Sequence, residues 1–178
     1  GLVKSYRQQY YNQLYYQDYL IGELVRQLRE AHLLENTVIV FMGDHGEGVG
    51  TVGVDYAHSN YLYEDVARIP LLIVAPGLTS QEIDVSEEAQ QIDLIPTMTG
   101  LLGIRGAYRH QGRDLTAAAN RTKRIVYLAY PPGHLLALVD DRWKYIFHVD
   151  SGDEELFHLQ TDPSEHINIA SIQTERTE

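Results

Sequence analysis

With 178 residues, 44% of them hydrophobic and 22% charged, the chain is long enough for one domain with a sizeable core and too apolar for disorder. Its formal net charge of -11 argues against a general nucleic-acid or anionic-membrane binder, although a bound cation can reverse the sign locally for an anionic substrate. It has no cysteine, which excludes disulfides, thiolate metal sites and a cysteine nucleophile in these residues, and no apolar stretch nears the roughly 18 residues that cross a bilayer.

No signal-peptide pattern opens the sequence, whose first 13 residues are polar and aromatic. Apolar positions at Leu14, Ile21, Leu24, Val25 and Leu28, spaced by three, four and seven, predict a helix over about 5–31. Six of the 13 tyrosines (Tyr6, Tyr10, Tyr11, Tyr15, Tyr16 and Tyr19) crowd it. They read either as amphipathic packing with each hydroxyl at the rim or as a docking surface. Thr37-Val38-Ile39-Val40-Phe41-Met42 is short and β-branched, hence a buried strand. A glycine-rich loop over 46–56 follows, without the order of a phosphate-binding fingerprint. A short helical stretch is expected near 60–66, then a strand over 69–75 with Pro70 at its start and Pro76-Gly77 at its end.

Residues 78–88 are polar loop, and a helix over about 93–102 has Gly103 placed as its C-terminal cap. After a mixed stretch over 104–124, strands are expected at 125–129, 135–139 and 143–147, the last two joined by a hairpin turn at Asp140-Asp141-Arg142. A final strand at 156–159 precedes a polar tail, with a turn at Asp162-Pro163. The pattern predicts an α/β fold: a βαβ-like front part over 1–124 and a smaller antiparallel β-rich unit with a polar tail over 125–178.

The chemistry concentrates at Gly43-Asp44-His45-Gly46-Glu47, where a strand delivers an acid and an imidazole between glycines. Ligands bind at the carboxyl ends of strands in open α/β sheets, and a carboxylate with an imidazole suits a divalent cation. An N-capping aspartate beside an exposed histidine is the alternative. His58 lies 13 residues beyond His45 across the glycine loop and is the second candidate. Glu47 reads as a carboxylate that orients His45 or as a loop acid, and Glu64 and Asp93 as helix-start charges. No serine sits in a nucleophile-elbow context, and two ligands are too few for a cation of this kind, so further ligands are expected from elsewhere.

Four ordered segments carry a resemblance. Tyr16, Asp18 and Gly22 lead through Leu34-Glu35-Asn36-Thr37 to Gly43-Asp44-His45-Gly46-Glu47. His58 leads through Tyr63-Glu64 and Arg68-Ile69-Pro70 to Pro76-Gly77. Gln91-Ile92-Asp93, Pro96-Thr97, Leu101-Leu102-Gly103-Ile104 and Gln111-Gly112-Arg113 form the third. Asp141-Arg142-Trp143-Lys144-Tyr145-Ile146, Glu155-Leu156-Phe157 and Asp162-Pro163 form the last. The set resembles the C-terminal portion of the sulfatase family, in the alkaline phosphatase superfamily.

That resemblance implies an alkaline-phosphatase-like, partly parallel sheet flanked by helices, with a small C-terminal antiparallel β subdomain. It implies a metal-dependent sulfuric ester hydrolase working through a covalent intermediate on a sulfate or phosphate ester. Asp44 and His45 map onto metal ligands, and His58 onto a catalytic residue that contacts the substrate's sulfate or phosphate. His45 in place of the commoner Asn widens the metal from Ca to Mn or Zn. It also brings phosphoethanolamine and glycerophosphate transferases or phosphodiesterases into range. A third reading is a non-catalytic domain that binds a lipid or partner protein through its tyrosines. The family's nucleophile motif is absent, so the sequence is expected to be a portion of a longer parent, inactive alone, whose N-terminal half is its partner. The opening Gly1-Leu2-Val3, without Met, agrees with that expectation. An extracytoplasmic parent is expected, with cytoplasm as the alternative, and a membrane segment would belong to the parent only.

Overall fold

The computed structural model describes residues 2–50, 58, 60–78, 85, 88–104, 106, 109–117, 123–130 and 133–172. Residues 51–56 of the expected glycine-rich loop lie outside this set. Helix α1 spans Leu2–Glu30, strand β1 Ile39–Met42, helix α2 Glu64–Ala67 and strand β2 Leu71–Val74. Helix α3 spans Leu94–Leu101, and strands β3 to β6 span Lys123–Tyr130, Gly133–Asp140, Trp143–His148 and Glu154–His158. Among the described residues no helix is long and apolar enough to cross a membrane.

The α/β class and the small antiparallel C-terminal unit are both present. That unit is a four-stranded meander in the order β3-β4-β5-β6. The front differs from a βαβ arrangement: β1 and β2 pair antiparallel, with Ile39 opposite Val74 and Met42 opposite Leu71. No parallel pair occurs among the described residues. The connection from Met42 to Leu71 is long enough for either direction, so the pairing is set by tertiary contacts rather than by its length.

Alternation decides the inner face of the meander. Leu135, Ala137 and Val139 are buried on β4, while His134, Leu136 and Leu138 are exposed. Leu62, from the segment just before α2, inserts among Leu135, Ala137, Ile146 and Phe157, and Tyr63 packs edge-on against Phe157 at 5.7 Å. The core therefore joins the front part of the chain to the C-terminal sheet. Gly103, at φ 64°, ends α3 as expected, and the Ile104 N–H donates back to the Thr99 carbonyl. Asp93 is more than a helix-start charge. It is fully buried, and its carboxylate accepts the backbone N–H groups of Gln90 and Arg113 at 2.8 Å each.

The tyrosine-rich α1 does not bury its rings. Tyr11, Tyr15, Tyr16 and Tyr19 are all exposed, Tyr15 by 80%, as are Leu14 and Leu24. The strand expected to be buried is also half open: Ile39 is buried, but Met42 on β1 and Leu72 on β2 face solvent.

Phe157→Ala removes the ring at the centre of the shared core. It is expected to cost about 3–5 kcal/mol of stability, read as a lowered midpoint of urea unfolding.

Candidate functional site

The site is built where β1 ends. The Gly43 N–H donates to the Pro70 carbonyl at 3.4 Å, the last tie to the paired strand, and the chain then leaves the sheet. Asp44 turns there: its Oδ1 accepts the His45 N–H at 3.0 Å, and its carbonyl accepts the Gln91 side-chain amide at 2.8 Å. Gly46 is required for close approach. A Cβ at that position would stand 2.1 Å from the Asp65 carbonyl oxygen and 3.1 Å from the Val66 Cα. The Gly46 N–H donates to the Val66 carbonyl at 2.8 Å, so α2 and this loop share one fixed contact. On its far side, Arg7 of α1 donates to the Val49 carbonyl at 2.9 Å.

The three residues singled out from the sequence come together here. The rings of His45 and His58 stack at 4.3 Å with 18° between their planes. Asp44 Oδ2 lies 3.8 Å from His45 Nε2. Glu47 belongs with His58 rather than with His45: its Oε2 sits 2.9 Å from His58 Nδ1, and its side chain is only 17% exposed. His45 uses the Gly46 carbonyl instead, 2.7 Å from its Nδ1. Both acceptors call for a proton on Nδ1, which donates and leaves Nε2 as the outward atom of each ring.

The donor set fits a divalent cation. With Nδ1 oriented by the Gly46 carbonyl, His45 Nε2 is the nitrogen left to coordinate a metal. Asp44 Oδ2 and His45 Nε2, 3.8 Å apart, can both reach one cation at about 2.0–2.6 Å from each. Among the described residues no group of three or more His, Cys, Asp or Glu gathers into a full metal cluster.

Sequence reasoning assigned no role here to Gln91 or Lys144. Gln91 steers Asp44 through a side-chain-to-backbone bond 47 residues away in sequence, which no local pattern signals. Lys144 had a readable sign: it shares the inward parity of Ile146 on β5, opposite Val139 and Phe157. It is fully buried, with Nζ 2.9 Å from Glu64 Oε1 and 2.8 Å from Glu165 Oε1. Glu64 is thereby an ion-pair partner as well as the first residue of α2.

Solved structures place this fold among the alkaline-phosphatase-like α/β proteins. A putative sulfatase from Bacteroides fragilis superposes with a TM-score of 0.72 and 26% identity, over 88% of this chain and 36% of that one. A protein solved with its substrate D-glucosamine-2-N,6-O-disulfate gives a TM-score of 0.73 at 23% identity, over 88% and 35% of the two chains. The sulfatase family model matches residues 3–104, and the model for the C-terminal part of N-sulphoglucosamine sulphohydrolase matches residues 55–177. The chain belongs to the sulfatase family. Choline-sulfatase from Rhizobium meliloti is 30% identical over 94% of this chain, and arylsulfatase K from Bos taurus 29% identical over 95%. The chain spans about a third of the length of these relatives, 34% in each case.

Gly46→Ala is expected to lose about 1–3 kcal/mol of stability, because its methyl group meets backbone rather than a side chain that can move. Gly43→Ala, whose nearest contact would be 3.2 Å, is expected to lose less. Urea unfolding of the two variants checks the order.

Proposed function

We propose that these residues form the metal- and ester-binding corner of a sulfuric ester hydrolase whose nucleophile and remaining metal ligands lie on residues outside this sequence. The observation that carries the reading is the convergence of Asp44, His45 and His58 at one strand end. Family membership supports it, as do relatives named for sulfatase activity. The identity of the cation stays open between Ca, Mn and Zn.

Each side chain has a role that follows from its partners. Asp44 and His45 hold the cation, with the Gly46 carbonyl keeping His45 in its coordinating tautomer. Bound there, the cation supplies Lewis-acid polarisation and charge neutralisation to an anionic ester. His58, with its Nδ1–H on Glu47, acts as an imidazolium whose Nε2–H donates to one ester oxygen, either on the sulfuryl group or on the leaving side. The stacking of the two rings holds His58 beside His45, so that His58 would face the ester while His45 would hold the cation.

The exposed apolar faces of α1 and of the β1-β2 pair support a further part of the reading. Tyr15, Leu24, Met42 and Leu72 are the surface that the rest of the parent protein covers. These 178 residues alone are then expected to show little or no turnover.

In the full-length parent, Asp44→Ala is expected to abolish stoichiometric metal binding and ester hydrolysis together, read by metal analysis and by release of a chromogenic aryl sulfate. His58→Ala is expected to keep its metal and lose about 10²–10⁴ in kcat. A wild-type parent that binds metal but turns over no ester would sink the hydrolase reading in favour of a binding domain. Faster turnover of phosphate than of sulfate esters would move the assignment to the phosphoryl-transfer members of the superfamily.

A further inference from the structure

One anchor of the site loop leads away from the chemistry into α2. Gly46 is pressed against α2, donating its N–H to the Val66 carbonyl with no space for a side chain. Whatever places α2 therefore helps to place Asp44, His45 and Glu47, alongside the Gln91 bond to the Asp44 carbonyl. A four-residue helix cannot place itself, because so short a segment is unstable without tertiary contacts.

Its anchorage comes from the C-terminal unit. Lys144 reaches from β5 to Glu64, the first residue of α2, at 2.9 Å. Glu165, in the turn after β6 and held at φ 53°, binds the same ammonium at 2.8 Å through Oε1. Its Oε2 accepts the Glu64 backbone N–H at 2.5 Å. Tyr63, just before α2, donates its hydroxyl to Glu155 of β6 at 2.8 Å, and Glu155 Oε1 lies 2.6 Å from His148 Nε2. Leu62 is buried in the core of the meander.

We propose that Lys144 is a positioning residue for the Asp44–His45 loop: through Glu64 and Glu165 it holds α2 against the C-terminal sheet, and α2 holds Gly46. The bearing on the reaction rests on the loop being the metal- and ester-binding corner proposed above. The mechanical link does not. Lys144 itself touches neither Asp44, His45 nor His58.

The test uses the full-length parent and two substitutions at Glu64, which leave the Lys144–Glu165 pair in place. Glu64→Ala removes the grip on the ammonium, whereas Glu64→Gln keeps an oxygen at the same reach. Hydrogen exchange is followed by mass spectrometry over 43–48 and over 135–147, without added metal or substrate. Glu64→Ala is expected to speed exchange in the 43–48 segment about tenfold while 135–147 stays slow, and Glu64→Gln to restore most of the protection. Unchanged exchange at 43–48, or equal acceleration in both segments, overturns the link. In an active parent, Glu64→Ala is further expected to lower kcat about tenfold with KM within about twofold, and Glu64→Gln to recover it. An unchanged kcat overturns the positioning role. An inactive wild-type parent overturns the hydrolase reading instead and leaves the exchange result to decide the link.

Discussion

A lysine ammonium with no exposure to water is the constraint on which the rest of this structure depends. Removing a charge from water costs several kcal/mol, and only close partners of opposite sign make it tolerable. Lys144 has two, Glu64 and Glu165, from segments 80 and 21 residues away in sequence. Burial pushes the Glu165 carboxyl up from its ordinary value, while the ammonium beside it pulls the other way. Both carboxylates grip the one ammonium, and so the three segments meet. A hydrophobic residue at position 144 would pack against Val139 and Phe157 but would not dictate where α2 lies.

The functional corner inherits its geometry from that arrangement. None of its side chains lies in a helix or strand: Asp44, His45 and Glu47 follow β1, and His58 precedes α2. Order comes from ties to distant elements instead. Gly46 is fixed to Val66, the Asp44 carbonyl to Gln91, and Val49 to Arg7 of α1. Within the corner, each imidazole is oriented by its own Nδ1 partner, a carbonyl for His45 and a carboxylate for His58. The neutral partner suits a ligand that must keep a lone pair, and the anionic partner suits a ring that must donate to an oxyanion.

The same dependence on tertiary partners explains the apolar surface of the front part. A 29-residue helix with tyrosines and leucines on show, and a two-stranded sheet with Met42 and Leu72 exposed, are elements that the described residues leave uncovered. Sulfatases such as the Rhizobium meliloti choline-sulfatase have about three times the length of this chain. The C-terminal meander has a buried inner face of its own, on which Leu62 is seated. The part of the chain with the chemistry is thus the part with the least self-sufficient packing.

Local sequence by itself determined the elements and their order. The three- and four-residue spacing in α1, the β-branched run of β1, Gly103 beyond α3 and the Asp141-Arg142 turn between β4 and β5 are short-range signals. Each is written in propensity, periodicity or turn chemistry. Asp44 and His45 stood out for a related reason, since an acid and an imidazole between glycines at a strand end are a local pattern as well. Tertiary structure alone decided the antiparallel pairing of β1 with β2, the partner of Glu47, the two-sided cap made by Asp93, and the burial of Lys144. All four are contacts between residues far apart in sequence or choices between equally good local partners. Local patterning says which face of a strand turns inward but not which distant charge will meet it there.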